Sequence, residues 1–378
     1  MIKRLNKLIV GYMALVGFIA HIGLVYVLIG NPKIRYGIEN KFFTVSEKNK
    51  KNSAEIQEEI NASFGKWTPK YINQLGENKI LVNGREFPDL KSALDALRDG
   101  DTLELGAGVY KTPLFIRKNG ITVVGRGHVI FDGAVAGGKG AIVIKGNSAT
   151  IDNIECRGIK VPDQNGACVR LEGGNLLLNH VYFHDSEQGL LTGKQPELVK
   201  IKDSRFELLG RRGKSHGIYV GVGGELYIED SLFIAAVDQG HEIKSRARVT
   251  EIVRSVVASL SSDSSRLIDI PNGGIVSIRN SILEKGPGSV NSDLIGYGLE
   301  GYKHKSNYVE LKNNVVIMER KGRNNLLHAA GEDVETKFDS NVFVGKEEVV
   351  VDGVNIWYQS REKSGIKDYP FIPLPYME

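Results

Sequence analysis

Three side chains of different chemistry occupy one position in successive segments of the sequence. Tyr219, Lys244 and Asp269 each directly follow an isoleucine, and neighbours among them lie 25 residues apart. Glu242 and Arg246 lie two residues to either side of Lys244. Removal of a proton α to a carboxylate needs a base, a proton donor and a cation that stabilises developing negative charge. The spacing therefore predicts a proton-transfer site for a carboxylate-bearing substrate.

Residue type suggests a role for each member of this set. Lys244 or His216 is a candidate base, and Tyr219 is a candidate proton donor to a leaving oxygen. Arg246 or Arg266 is a candidate partner for the carboxylate, because a guanidinium binds carboxylates in a fork. The predicted substrate-binding residues are all basic: Arg170, His241, Arg246, Arg248 and Arg266.

Glu242 and Asp269 complete the predicted catalytic set and allow a second reaction. Strand geometry would place their Cα atoms about 8 Å apart, compatible with the roughly 6.5–9.5 Å between carboxyl groups of inverting glycosidases. Hydrolysis is therefore the alternative chemistry. Purely structural roles are open as well. Lys244 can form a surface ion-pair ladder with Asp269 and Glu242, and His216 and His241 can bond backbone groups at corners.

An internal repeat defines the elements that would position these residues. Eight segments share an apolar residue, two mostly polar ones and a short alternating strand: IDNIEC, LNHVYF, IKDSRF, IEDSLF, IVRSVV, IRNSIL, LKNNVV and FDSNVF. Their polar anchors, spaced 24 to 33 residues apart, are Asn153, His180, Ser204, Ser231, Ser255, Ser281, Asn314 and Asn341. A repeat of about 25 residues without a helical period predicts an all-β parallel β-helix of about nine to ten coils, with strands stacked about 4.8 Å apart.

A second column of strand segments precedes these anchors. Ile218, Ile243, Ile268 and Ile295 are predicted to form an inward aliphatic stack. Because side chains alternate along a strand, the next residue of each segment points outward. The predicted outward stack is Arg170, Thr192, Tyr219, Lys244, Asp269, Gly296 and His328. The long turns around LIGYGLEGYKHKSNY are expected to wall a groove, with Tyr297 and Tyr302 available to stack on sugars.

The segments before the repeats indicate how the chain begins. The helical pattern from Leu90 to Leu97 predicts an amphipathic helix that caps the first coil. Leu8 to Ile29 contains no charged residue and is long enough for about 33 Å of helix, so we expect a single transmembrane span. The preceding basic residues favour a cytoplasmic N-terminus. The predicted regions are 1–30, tip and anchor; 31–78, polar stalk; 79–352, β-helix; and 353–378, C-terminal segment.

Composition excludes several classes of protein. Without Lys3, Arg4 and Lys7, the chain has 46 basic against 45 acidic residues, which argues against a nucleic-acid partner. Two cysteines exclude a disulfide-stapled scaffold and a Cys-rich zinc domain. Cys168 is expected on the outward face and Cys156 on another strand, so unpaired thiols are favoured and a single bridge stays open. The FHDSEQ segment is interpreted as a solvated corner, and neither a metal nor a cofactor is predicted.

The run from PDLKSALDALRDGDTLELGAGVY through ITVVGRGHVIFDG into the repeats resembles the right-handed parallel β-helix superfamily of pectate-lyase-like proteins. The resemblance covers roughly residues 80–350. The segments SHGIYVG, GHEIKSRA, LIDIPNGG and LIGYGLEG also look like bacterial membrane-anchored β-helix repeat proteins associated with polysaccharide metabolism. The superfamily includes lyases, polygalacturonase-type hydrolases, uronan epimerases and non-catalytic spike proteins. The chain lacks the Asn-Thr-Asp motif of the hydrolases and the Asp-Pro-His-Asp motif of alginate epimerases.

The resemblance and the residues together predict an inner-membrane protein whose β-helix lies in the periplasm. We expect it to act on an acidic polysaccharide by β-elimination or C5 epimerisation, next to polysaccharide synthesis or export proteins. The alternatives are a glycoside hydrolase of the same fold and a non-catalytic polysaccharide-binding or scaffold component of an exopolysaccharide secretion machine.

Overall fold

The computed structural model describes residues 51–331, 334–347, 349 and 351–375. The predicted membrane span from Leu8 to Ile29 and residues 31–50 of the predicted stalk lie outside this part of the chain. Among the residues described, no helix is both long and apolar enough to cross a membrane.

Strands dominate the described chain, which has only short helices. The helices are α1 (Ser53–Phe64), α2 (Leu90–Ala96) and α3 (Arg361–Ser364). The strands are β1 (Ile80–Val82), β2 (Arg85–Phe87), β3 (Thr102–Tyr110), β4 (Leu114–Ile116), β5 (Ile121–Asp132), β6 (Gly140–Ile144), β7 (Ser148–Asp152), β8 (Glu155–Arg157), β9 (Ala167–Leu171), β10 (Asn175–Asn179), β11 (Tyr182–His184), β12 (Gln188–Thr192), β13 (Leu198–Lys202), β14 (Arg205–Glu207), β15 (Ile218–Val220), β16 (Glu225–Glu229), β17 (Leu232–Ile234), β18 (Ile243–Ser245), β19 (Val249–Val253), β20 (Val256–Ala258), β21 (Ile268–Ile270), β22 (Ile275–Arg279), β23 (Ile282–Lys285), β24 (Asp293–Tyr297), β25 (Tyr308–Lys312), β26 (Val315–Met318), β27 (Asn325–Ala329), β28 (Glu335–Asp339), β29 (Val342–Gly345) and β30 (Ile356–Tyr358).

Apart from the antiparallel hairpin of β1 and β2, whose β1 also pairs antiparallel with β3, these strands build a parallel β-solenoid, in which each coil pairs with the next. Face 1 is a sheet of nine strands: β4, β6, β9, β12, β15, β18, β21, β24 and β27. Face 2 is formed by β3, β5, β7, β10, β13, β16, β19, β22, β25 and β28. Face 3 is formed by the end of β5 and by β8, β11, β14, β17, β20, β23, β26, β29 and β30. The predicted all-β solenoid of about nine coils is confirmed.

The predicted inward stack on face 1 is confirmed. Ile218, Ile243, Ile268 and Ile295 are register partners on neighbouring strands, and each is 0% exposed. Burial of one such side chain contributes about 1.5–3 kcal/mol. An apolar stack repeated in every coil therefore holds the coils in register.

A ladder of hydroxyl and amide side chains joins the corners between faces 2 and 3. The Oγ atoms of Ser204, Ser231, Ser255 and Ser281 each accept a hydrogen bond of 3.1 Å from the backbone N–H one coil earlier. Asn314 and Asn341 continue the ladder. The predicted anchor column is correct for these six residues, but its first two members lie one residue out of register. Asn153 and His180 occupy the preceding corner position, with φ of 55° and 51°.

The described part of the predicted stalk packs on the solenoid. Ile56 and Ile60 of α1 belong to an apolar cluster with Ile234, Val256 and Ile282 from face 3. Alternate strand residues such as Val257 belong to the main core instead. An apolar stripe on α1 thus covers the outer side of face 3, so residues 51–64 do not form a free spacer.

Helix α2 lies where the helical pattern predicts it. Asp89 is its N-cap and accepts a hydrogen bond from the backbone N–H of Ser92. Leu90, Ala93 and Leu97 join the main apolar core. Its apolar face therefore packs against the beginning of the solenoid.

Cys156 and Cys168 form a disulfide, with Cα atoms 5.8 Å apart. The preference for unpaired thiols is wrong because Cys168 points inward. The residue immediately before the inward stack also faces the core in several coils, and Cys168, Leu267 and Leu294 are all 0% exposed. Two consecutive inward residues break the strand alternation from which the outward direction was predicted.

Candidate functional site

An outward column of side chains crosses face 1 along the solenoid. Arg170, Leu191, Tyr219, Lys244 and Asp269 are successive register partners on β9, β12, β15, β18 and β21. Gly296 and His328 continue the column. The predicted stack is confirmed except at one place. Thr192 pairs with Leu171, so the outward position between Arg170 and Tyr219 belongs to Leu191.

A cavity of about 670 Å³ lies over the upstream half of this column. Arg170, Leu191 and Tyr219 contribute strand residues to its lining. Gln188 and Thr192 of β12 also line it, and turns contribute further residues, among them Asn165, Lys194, Lys214, Asn272, Glu300 and Lys303. The cavity therefore combines an outward strand column with turns that connect face 1 to its neighbours.

Tyr219 and Arg246 form the best-defined polar pair in this cavity. The Nε of Arg246 donates to the Oη of Tyr219 at 2.7 Å. Its Nη1 donates to the Oδ1 of Asn272 at 2.6 Å, and its Nη2 donates to Glu300 at 2.6 Å. Three partners thus fix the guanidinium. Because Tyr219 accepts the bond from Arg246, its own hydroxyl hydrogen can be donated elsewhere.

Lys244 lies on the next strand but is largely covered. Its Nζ is 2.9 Å from Asp269 and 3.5 Å from Glu300, and its side chain is 13% exposed. Asp269 also lies 3.3 Å from Arg266 and 3.6 Å from His241. Lys244 and Asp269 therefore form an ion pair on the outward face. A catalytic role for either residue stays a hypothesis.

His216 and His241 satisfy backbone groups at the corner before face 1. The Nδ1 of His216 accepts from the backbone N–H of His241 at 3.2 Å, and the Nδ1 of His241 accepts from that of Arg266 at 3.1 Å. The two rings stack with centroids 4.7 Å apart. Burial, followed by nearby positive groups such as Lys244, holds the pKa of both imidazoles well below the usual value. Both rings are therefore neutral near pH 7.

Glu242 does not share the outward face with Lys244, so that prediction is wrong. It precedes β18 and is 1% exposed. Both carboxylate oxygens accept from the backbone N–H of Ala236, at 2.9 and 2.8 Å. Burial raises its pKa well above the usual value. Because Glu242 occupies the inward position that Leu267 fills one coil later, it does not share the outward face with Asp269.

The other two predicted arginines have partners in different places. Arg248 is exposed and forms an ion pair with Glu225 at the start of β16 on face 2, away from the cavity lining. Arg266 contacts Asp269 and lies 3.2 Å from Asp293. Of the predicted substrate-binding residues, the cavity lining thus contains Arg170 and Arg246.

The turn between β24 and β25 forms one wall of the cavity, as predicted. Asn272 anchors it, because its Nδ2 donates to the carbonyl of Gly301 at 3.0 Å and its carbonyl accepts from the N–H of Lys303 at 2.9 Å. Tyr297 is 0% exposed and points inward, so it is not available to a sugar. Tyr302 is partly exposed and donates to the carbonyl of Ala330 at 2.6 Å.

Leu191, Asn272 and Glu300 are site residues that sequence reasoning missed. The spacing of 33 residues between Ser281 and Asn314 marks an insertion, but its length carries no information about which earlier coil it contacts. Glu300 is 54 residues from Arg246. The contact between Glu300 and Arg246 could not be predicted, because no repeat pattern gives the direction in which this turn runs.

The FHDSEQ corner is more buried than its interpretation as a solvated turn implies. His184 is 8% exposed, with Nδ1 2.6 Å from Asp185 and Nε2 3.2 Å from Glu155. Burial opposes its charge, but these carboxylates outweigh burial and raise the pKa to about 9. Glu187 accepts from backbone N–H groups. In the part of the chain that the structure describes, no group of three or more His, Cys, Asp or Glu residues could hold a metal ion.

Comparisons of the chain with models of protein families and with curated proteins find no match.

Proposed function

We propose that the cavity on face 1 binds an acidic polysaccharide and that the protein modifies this polymer by β-elimination or C5 epimerisation. One observation carries the proposal, namely the charge of the cavity lining. Among the described residues that line it, Glu300 provides the only carboxylate, whereas five side chains are cationic: Arg170, Lys194, Lys214, Arg246 and Lys303. A concave surface with one sign of charge attracts ligands of the opposite sign.

Tyr219 and Arg246 supply the proposed chemistry. Arg246 would neutralise the carboxylate of a uronic acid unit, which makes its α proton easier to remove. In elimination, Lys244 as a free amine takes this proton, a C4–C5 double bond forms as the C4–O bond breaks, and the leaving oxygen receives the hydroxyl proton of Tyr219. In epimerisation, Lys244 takes the C5 proton and the carbon receives the hydroxyl proton of Tyr219 on its opposite side. Tyr219 is the second candidate for the base in elimination: as a phenolate it takes the C5 proton and passes the same proton to the leaving oxygen.

A non-catalytic role is the second candidate, and the contacts of Lys244 favour it. Lys244 has two carboxylate partners, Asp269 and Glu300, and it does not belong to the cavity lining. In this alternative the protein holds an acidic polymer as a binding or scaffold component of polysaccharide assembly or secretion. Hydrolysis by Glu242 and Asp269 has no comparable support, because Glu242 bonds Ala236 inside the solenoid.

The proposed location is outside the cytoplasm, with the chain anchored through the apolar segment Leu8 to Ile29. The disulfide of Cys156 and Cys168 supports this location, because disulfides persist in oxidising compartments. We further propose that the solenoid is a right-handed, pectate-lyase-like β-helix in the periplasm and that α2 caps its first coil. Polysaccharide synthesis or export proteins are the proposed neighbours.

The test is to incubate the full chain in detergent with polymers of galacturonate, mannuronate and glucuronate. Elimination gives ultraviolet-absorbing unsaturated ends, and epimerisation incorporates solvent deuterium at C5. Tyr219→Phe should remove either signal, whereas Tyr227→Phe, a matched change on face 2, should retain it. Loss with Lys244→Ala as well would identify Lys244 as the base. Binding of the polymer without either product would favour the non-catalytic alternative.

A further inference from the structure

Two polar atoms in the upstream half of the cavity lack a hydrogen-bond partner among the described residues. One is the Oε1 of Gln188, a residue that is only 1% exposed. The other is the Nε of Arg170, which is 3.9 Å from Glu172, too far for a hydrogen bond. Both residues line the cavity. The lining of one cavity thus contains a buried acceptor and a buried donor that are both unsatisfied.

Such atoms are unusual in a folded protein. Buried polar side-chain atoms nearly always have a partner, because an unsatisfied group has lost its water without compensation. The strand pairing does not require a glutamine at position 188, because its register partner on β9 is Ala167. An apolar side chain would fit the same backbone position. We therefore expect the amide oxygen to accept a hydrogen bond from a ligand that is not part of the chain.

The neighbouring residues define what kind of ligand fits. Leu191 lies between Arg170 and Tyr219 in the outward column and offers an apolar surface. Arg170 is two strand spacings, about 10 Å, from Tyr219 along the solenoid. A ligand unit at Arg170 would thus lie beside the proposed reacting unit at Tyr219.

We propose that Arg170 and Gln188 form a subsite for one uronic acid unit of the polymer, next to the unit at Tyr219. The carboxylate accepts from the Nε of Arg170, a ring hydroxyl donates to the Oε1 of Gln188, and the C–H face of the ring packs on Leu191. A uronic acid carries all three features on one ring. This inference rests on the proposed function, because it assumes that an acidic polysaccharide occupies the cavity.

Binding measurements with two ligands test the subsite. Calorimetric titration of the full chain in detergent uses galacturonate, mannuronate and glucuronate oligosaccharides, each alongside its carboxyl-reduced form. The Tyr219→Phe background prevents turnover. Gln188→Met should weaken binding of both forms about tenfold, the equivalent of one hydrogen bond. Arg170→Met should weaken binding of the acidic form and leave binding of the reduced form nearly unchanged.

Gln359→Met is the matched control, because Gln359 is exposed near the C-terminus and lies outside this cavity. It should bind both forms like the parent protein. Gln188→Met should not lower the unfolding temperature, since no hydrogen bond of its Oε1 is lost. A clear loss of thermal stability would instead show a structural role for the amide and overturn the proposal. Gln188→Leu provides the same test with a second apolar side chain.

The two proposals fail in distinguishable ways. If the parent protein binds no uronate oligosaccharide, the proposed function and the proposed subsite are both refuted. If it binds and Gln188→Met and Arg170→Met bind equally well, only the subsite falls. Equal losses for acidic and reduced ligands with Arg170→Met would also overturn it, because the arginine would then not contact the carboxylate.

Discussion

The Nε of Arg246, the residue that follows β18, donates to the Oη of Tyr219 on the neighbouring strand β15 at 2.7 Å. The remaining guanidinium nitrogens bind Asn272, which follows β21, and Glu300, which follows β24, so the orientation of Arg246 depends on turns one and two coils downstream. The cation and the phenol therefore form one unit, and the turn between β24 and β25 positions both.

Arg246→Lys tests this unit. An ammonium is a point charge and cannot keep three bonds in the geometry of a fork. We expect the turnover of the acidic polymer to fall about a hundredfold, a loss typical of removing one oriented charge-stabilising donor. Arg254→Lys changes an arginine that contacts Asp230 and Glu229 outside this cavity, and it should keep full activity. Equal activity of Arg246→Lys and the parent protein would contradict the prediction.

Glu284 should make stability depend on pH. Burial, and then the Glu319 carboxylate, raises its pKa from 4.5 to about 8. Because the folded-state value exceeds the unfolded one, the native state binds the proton more tightly, and stability falls as pH rises from 4.5 towards 8. Lys285, with a pKa lowered to about 7, opposes this trend only above that pH. The informative window is therefore pH 5 to 7.

In that window the unfolding free energy of the parent, relative to that of Glu284→Gln, should fall by up to about 1.4 kcal/mol per pH unit, because His216, His241 and Glu242 contribute alike to both proteins. A glutamine oxygen can still accept the N–H groups of Ser259 and Leu260. Urea unfolding at several pH values measures the slope, and Glu335→Gln at an exposed position is the control. Parallel curves for Glu284→Gln and the parent would refute the assignment.

Loss of the disulfide should destabilise the solenoid. Cys156 and Cys168 are 12 residues apart, and a bridge over a loop of this length is worth about 3 kcal/mol. The double variant Cys156→Ala, Cys168→Ala should show this loss in urea unfolding, and reduction of the parent protein should approach the same value. Two titratable thiols in the unreduced, unfolded chain would show that the bridge does not form.

Much of the architecture could be predicted because the solenoid repeats. A strand alternates its side chains with a period of two, so the isoleucine before Tyr219, Lys244 and Asp269 determines that these three residues point outward together. Thr192 was misplaced because a one-residue shift moves a side chain to the other face, and no isoleucine marks its strand. The leucine–isoleucine pairs at 267–268 and 294–295 were a sequence signal for two consecutive inward positions. Read in that way, they would have placed Glu242 and Cys168 inside.

By itself the sequence determined the coils, the inward isoleucines, the serine and asparagine corners and the outward column, because each follows from local periodicity. Only the tertiary structure decided that the disulfide forms, that α1 covers face 3 and that Glu300 reaches Arg246. These contacts join residues whose separation along the chain does not follow the repeat of about 25 residues. Their partners are set by the path of turns and by the packing of non-repeating segments, which no local pattern encodes.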